Sequence, residues 1–241
     1  MRPHVEFREQ LDAIVRAVPA DGREQVSELV ASVVDAGATS ERAVIEMAKD
    51  QTLDTRLRSD LCWLVPRLGI EAAGDLLTGL MADPSEQIRM EAAAGLGLVP
   101  DDGVVDVLLA ALADESSQPV RLAVLHALGV RSSPRSAAGV MGVLQDSDED
   151  PEVRADAAEA LAHVEDERIV PFLIGYLQDR SPLVRYSAAY ALGEQGDVSA
   201  LPALRHLAAH DCDNTPWGSV ASRALRSLQV IADREAREER S

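Results

Sequence analysis

The stretch that decides the fold is Val184-Arg185-Tyr186-Ser187-Ala188-Ala189-Tyr190-Ala191-Leu192-Gly193. An apolar residue precedes an arginine; two variable positions, a pair of alanines and a closing leucine-glycine follow. The same phrase occurs from Ile88-Arg89 to Leu96-Gly97, from Val120-Arg121 to Leu128-Gly129 and from Val153-Arg154 to Leu161-Ala162. A degraded copy runs from Leu57-Arg58 to Val65-Pro66, and a last one starts at Val220 with Ala221 in the arginine slot. The arginines at 58, 89, 121, 154 and 185 are spaced by 31 to 33 residues, the period of a helical repeat protein.

Working outward, each phrase is preceded by an apolar helix that ends on an aspartate: Asp50, Asp83, Asp114, Asp146 and Asp179. Prolines follow most of these turns (Pro84, Pro119, Pro151, Pro182 and, in the last copy, Pro216). Proline suits the first turn of a helix, where its missing N–H costs nothing. Each unit therefore reads as helix A, a short turn, helix B, and a glycine that stops helix B. Val104–Ala113 with Val120–Leu128, and Ile169–Gln178 with Leu183–Leu192, are two such units. A single hairpin cannot bury both its apolar faces, so neighbours stack, and the alanine pairs let them approach closely.

The expected fold is all-α, a right-handed solenoid of about seven helical hairpins capped at both ends. Residues 1–39 form an N-terminal capping hairpin, with helices over Val5–Val18 and Arg23–Asp35. Residues 40–231 hold six repeats, and 232–241 form a charged tail, a frayed helix end or a disordered segment.

Composition agrees. Apolar residues make up 46% of the chain but only seven are aromatic, which suits thin, closely packed helices better than a β-sandwich. Net charge is −18 and Lys49 is the sole lysine. Between Asp101 and Glu167 there are 15 acidic residues against four arginines. So acidic a middle repels phosphate backbones, and no nucleic-acid partner is expected. Cys62 and Cys212 form no CxxC motif, and Cys62 reads as a small buried hydrophobe. With no disulfide framework, no apolar leader and no run long enough to span a bilayer, a cytoplasmic location is expected and membrane contact is not.

On the aspartate, proline, Val-Arg, Ala-Ala and Leu-Gly positions, residues 40 to 231 resemble the HEAT family, in the short bacterial form called PBS-lyase HEAT-like repeats. That resemblance implies a structural ladder of turn aspartates and helix B arginines: Asp83 with Arg89, Asp114 with Arg121, Asp146 with Arg154, and Asp179 with Arg185. It also implies enzymatic alternatives, since some relatives are bilin lyases, one branch is a di-iron hydroxylase and others are DNA glycosylases. The hydroxylase site is built on His-Glu pairs, and this sequence has no such dipeptide. The glycosylases need a basic face, which the acidic middle opposes.

Other candidate chemistry is thin. His206 and His210 lie four apart on one helix face, before Asp211, Cys212 and Asp213, and are weak candidates for a metal. His126 and His163 are isolated. Asp146, Asp148 and Asp150 open like a calcium loop, but Pro151 and Ala157 stand where glycine and glutamate are required. The run reads as a solvated turn. Gly95-Leu96-Gly97 closes a helix and lacks the strand-to-helix context of a phosphate loop. No catalytic residue, metal or cofactor is assigned.

In HEAT-like arrays the B helices line the concave face. Positions one and five after each arginine are expected to share its exposed stripe. They are Ser59 and Trp63, Met90 and Ala94, Leu122 and His126, Ala155 and Glu159, Tyr186 and Tyr190, and Ser222 and Arg226. Aromatic, methionine and arginine side chains are favoured at interface centres. The expected partner-binding residues are Trp63, Met90, Leu122, His126, Glu159, Tyr186, Tyr190 and Arg226. Trp217, beside Pro216 at the start of the last helix, is expected to pack the C-terminal cap. The expected function is a non-catalytic scaffold or adaptor that binds another protein, through a basic or amphipathic segment. The alternative is a lyase-like enzyme or accessory chaperone holding a small prosthetic group in the groove.

Overall fold

The computed structural model describes residues 3–19 and 22–238. Along them, fourteen α-helices follow one another with one short two-stranded ribbon near the end. The helices pair in chain order: α1 (Pro3–Ala17) with α2 (Arg23–Asp35), α3 (Glu41–Lys49) with α4 (Thr55–Leu64), and α5 (Ala73–Leu80) with α6 (Glu86–Leu96). After α7 (Val104–Asp114) and α8 (Gln118–Arg131), α9 (Ala137–Gln145) pairs with α10 (Pro151–Ala160). The last pairs are α11 (Ile169–Tyr176) with α12 (Pro182–Gln195) and α13 (Leu201–His210) with α14 (Val220–Glu238). Odd-numbered helices are the A helices and even-numbered ones the B helices. The fold is an all-α, HEAT-like solenoid.

The chain divides into two compact units, Met1–Ala127 and Leu128–Ser241. In the first, B helices α2 and α6 both pack on α4; in the second, α10 and α14 both pack on α12. The position four after the repeat arginine is fully buried in each of the five repeats that carry that arginine. Cys62, Ala93, Leu125, Ala158 and Ala189 are all at 0% exposure. Burial pushes the Cys62 thiol up to about 12, so this cysteine is packing and not a nucleophile.

The glycines that close the repeat phrase do not stop their helices by adopting a left-handed conformation. Gly129 and Gly193 lie inside α8 and α12, and Gly97 caps α6 in ordinary right-handed geometry. They are needed for close approach. A Cβ on Gly97 would lie 3.1 Å from the Cα of Ala127, and one on Gly129 would lie 3.1 Å from the Cα of Ala160. True left-handed stops come later, at Gly69 (φ 66°) and Gly196 (φ 75°).

Pro119, Pro151 and Pro182 sit in the first turns of α8, α10 and α12, but α6 begins two residues after Pro84. Pro216 starts no helix. Asn214–Thr215 pairs antiparallel with Gly218–Ser219, leaving Pro216 and Trp217 at the turn of a small ribbon before α14. The Thr215 hydroxyl donates to the Gly218 carbonyl at 2.9 Å. Gly218, at φ 127°, supplies a backbone shape other residues rarely adopt. From there α14 runs to Glu238 through most of the charged C-terminal segment, whose residues 239–241 lie outside the described residues.

Candidate binding face of the B helices

Four of the repeat arginines, Arg58, Arg89, Arg154 and Arg185, are tied into turns, with acidic partners one repeat further on than expected. Arg58 forks the carboxylate of Asp83, and its Nε donates to the Ala48 carbonyl at 3.0 Å. Arg89 binds Glu115 through Nε at 2.7 Å, while its Nη1 donates to the backbone carbonyl of Asp83, not to its carboxylate. Arg154 pairs with Asp179, and Arg185 reaches Asp211 at 2.6 Å and Asp213 at 2.5 Å. Each acid also fixes its own turn. Asp83, Glu115, Asp179 and Asp211 each accept the backbone N–H two residues on, at 2.8–2.9 Å.

The stacking sets this offset, because helix B of one repeat lies beside the A–B turn of the next. Glu115 takes the role expected of Asp114, which ends α7 exposed. Asp146 is exposed as well and accepts the N–H of Asp148, closing a solvated turn. Burial alone would raise the Asp83 carboxyl, but Arg58 and the Ser85 N–H hold it below the usual range. Arg89 does the same for Glu115.

The open stripe of the B helices is also rotated from the expected one. Side chains at +5 from the arginine are half-buried or exposed in every repeat, but at +1 Ser59, Ala155 and Tyr186 are buried and Met90 and Leu122 half-buried. With about 100° per residue, +2, +5 and +9 fall within about 60° of arc, and +1 lies on the flank that meets the neighbouring B helix. At +2, Asp60, Glu91 and Asp156 are half-buried and lie outside the expected stripe, whereas Ser187 in the same slot is buried.

In the first unit, α4 and α6 bring Asp60, Trp63 and Glu91 together around a hollow of about 220 Å³ whose far wall is α2. Burial raises both carboxyls, and Asp60 raises Glu91 further. The Ser59 hydroxyl, which opposes the rise at Glu91, accepts from Gln87 Nε2 at 3.2 Å. The Arg67 guanidinium stacks 3.8 Å from the Trp63 ring centroid and donates to the Trp63 carbonyl. His126 is exposed on α8.

In the second unit, Glu159 on α10 and Glu194 on α12 lie close enough to Tyr190 for their charges to act on its phenol. Glu159 accepts the Ser187 hydroxyl at 2.7 Å. Burial, then the charges of Glu194 and Glu159, raise the Tyr190 phenol. The Arg223 guanidinium lies 5.2 Å from the Tyr190 ring, and Arg226 is exposed on the same helix. Tyr186 departs from its expected place on the open stripe, being 4% exposed. Trp217 packs on it at 5.9 Å, and Arg223 donates to its hydroxyl at 2.9 Å. Trp217 itself is 55% exposed.

Burial, with Glu159 and Glu152 beside it, pushes the Asp156 carboxyl up to about 6. The folded state thus holds this proton more tightly than the unfolded chain does. Through this group, stability falls as pH rises from about 4 to about 6. Asp156→Asn should therefore raise Tm by about 2–4 °C near neutral pH, after discounting for partial exposure, with the gain shrinking toward pH 4. Thermal unfolding by circular dichroism checks this, and a lower Tm at neutral pH would mean that the charge stabilises the fold.

His206 and His210 stack at 4.3 Å on α13, and a backbone carbonyl contacts His210 Nδ1 at 2.9 Å. Asp211 and Asp213, the nearest acids, are held by Arg185. Among the described residues no three metal-ligating side chains form a cluster, and no helix is long and apolar enough to cross a membrane.

The chain is similar to several solved structures. It aligns with the CpcE–CpcF complex of phycocyanin lyase from Nostoc sp. PCC7120 at 18% identity and TM-score 0.49, over 93% of this chain and 94% of that one. A designed armadillo repeat protein aligns at 16% identity and TM-score 0.48, over 78% and 98%. Cex1p aligns at 16% identity and TM-score 0.53, over 99% of this chain and 54% of its own. No curated protein matches the chain. The family model for HEAT repeats matches residues 73–149 and 141–229, well over half the chain. The chain belongs to the HEAT repeat family.

Proposed function

We propose that the protein is a non-catalytic scaffold that binds a basic segment of another polypeptide on the open face of its B helices. The observation that carries this reading is a contrast in charge pairing. The turn acids Asp83, Glu115, Asp179 and Asp211 are neutralised by ladder arginines, whereas among the described residues Asp60, Glu91 and Asp156 close no ion pair. All three stand half-buried, Asp60 and Glu91 beside Trp63, at a cost that a cationic partner would offset. Aromatic groups bordered by negative charge suit a basic or amphipathic segment.

Capture from the source organism's lysate tests the reading. The wild type is compared with a variant carrying Asp60→Asn, Glu91→Gln, Asp156→Asn and Glu159→Gln, once both show equal helicity. The wild type should retain a polypeptide that salt releases, and the variant should retain at least roughly tenfold less. Undiminished capture by the variant would overturn the reading. So would a co-purifying pigment with no polypeptide, which would favour a prosthetic-group carrier.

A further inference from the structure

The hollow of the first unit is built for one side chain rather than for a surface. Its lining brings two carboxylates from successive repeats, Asp60 of α4 and Glu91 of α6, together with the Trp63 indole, Ser59, and Gln25, Val26 and Leu29 of α2. Such a lining asks for a ligand with a cationic end, a flat face and an apolar stem. Its volume of about 220 Å³ leaves room for a head group and the methylenes behind it.

We propose that this hollow seats a single arginine of the partner polypeptide, its guanidinium against Trp63 and bridged between Asp60 and Glu91. The inference rests on the reading above that the partner is a basic polypeptide, and it assigns the anchoring residue. Two observations support arginine over lysine. Two carboxylates carried on different helices are matched by a planar fork with several donors, which a point-charge ammonium lacks. The indole already accepts a guanidinium, since Arg67 stacks on it at 3.8 Å. Arg67 lies beside Ala13, Ile14 and Ala17 of α1 and outside the lining of the hollow, although its charge reaches Glu91. Burial raises both acids, and at Glu91 the charge of Asp60 adds to the rise while that of Arg67 opposes it, so a further cation of either kind would be favoured there.

Trp63 reports on the hollow directly. Trp217→Phe leaves Trp63 as the one tryptophan of the chain. This protein is titrated at low ionic strength with N-acetyl-Gly-Arg-Gly-amide and with the same peptide carrying citrulline, the neutral isostere of arginine. The arginine peptide should change Trp63 emission saturably, with Kd on the order of 1 mM, as one cation–π contact and two charge-assisted bonds allow. The citrulline peptide, and the arginine peptide added to Asp60→Asn/Glu91→Gln, should bind at least roughly tenfold more weakly. Neutralising the two acids removes a repulsion, so this variant should stay folded, which circular dichroism checks. Equal responses to arginine and citrulline, undiminished binding by the variant, or no saturable change up to about 50 mM would overturn the proposal. Lysate capture separates the two claims. A polypeptide retained equally by the wild type and by Asp60→Asn/Glu91→Gln, but lost when Asp156 and Glu159 are also neutralised, keeps the scaffold reading and removes the arginine seat.

Discussion

Replacing Arg58 by methionine is expected to destabilise the first unit by about 3–5 kcal/mol. The side chains of Arg58 and Asp83 are 4% and 2% exposed, so losing the arginine strands a buried carboxylate. It also removes the donor to the Ala48 carbonyl. The fall in Tm should be roughly 6–20 °C. Adding Asp83→Asn should recover much of the loss, because the amide oxygen can still accept the Ser85 N–H without carrying charge. A double-mutant cycle in urea measures that coupling. A single-variant loss under about 1 kcal/mol would mean the ladder is ornamental. The ladder also predicts acid sensitivity. Asp83, Glu115 and Asp211 have lowered carboxyl pKa values, so their stabilisation is complete above the usual carboxylate range and is lost as pH falls through the folded values.

The second large effect is expected where α12 meets α14. A Cβ on Gly193 would lie 2.7 Å from the Ser227 Oγ, 2.8 Å from its Cβ and 3.0 Å from its Cα. Ser227 cannot easily yield, because it is 3% exposed and its hydroxyl donates to the Ala189 carbonyl at 2.7 Å. Gly193→Ala should cost about 1–3 kcal/mol and Gly193→Val about 3 kcal/mol or more, with exchange protection lost first in α14. Gly142, in the middle of α9, meets nothing within 4 Å of an added Cβ. Gly142→Ala should instead stabilise by about 0.4–1 kcal/mol. If both alanine variants stabilise, the close approach of α12 and α14 is wrong.

The repeat was legible because it is written in one dimension. Arginine spacing and apolar period fix how many hairpins there are and where each begins. What the sequence could not say is which neighbour a side chain meets. Arg89 is six residues from Asp83 along the chain but takes its carboxylate from Glu115, because stacking sets the next repeat's turn beside it. The Leu-Gly glycines looked like helix stops, yet Gly193 is a contact point whose need appears only once Ser227 is opposite. Tyr186 and Tyr190 look equivalent four residues apart, but Tyr186 is buried against Trp217 and Arg223 while Tyr190 stays half-buried. Pro216 mimics a helix start, and the ribbon it turns depends on Thr215 and Gly218, each too local for the repeat to reveal. Asp60, Glu91 and Asp156 were within reach. They share the +2 slot, and the expected stripe at +1 and +5 passed beside it.

The claim that the B-helix face is the binding surface is tested most directly by placing a photo-crosslinking residue on each side of the first unit. Ala94 is exposed at the +5 position of α6, and Ala110 is exposed on the A helix α7. With p-benzoylphenylalanine at either position and source lysate as bait, a polypeptide should crosslink from position 94, lose that crosslink as salt rises, and fail to crosslink from position 110. Crosslinking from position 110 with none from position 94 would contradict the account and move the binding surface to the A helices.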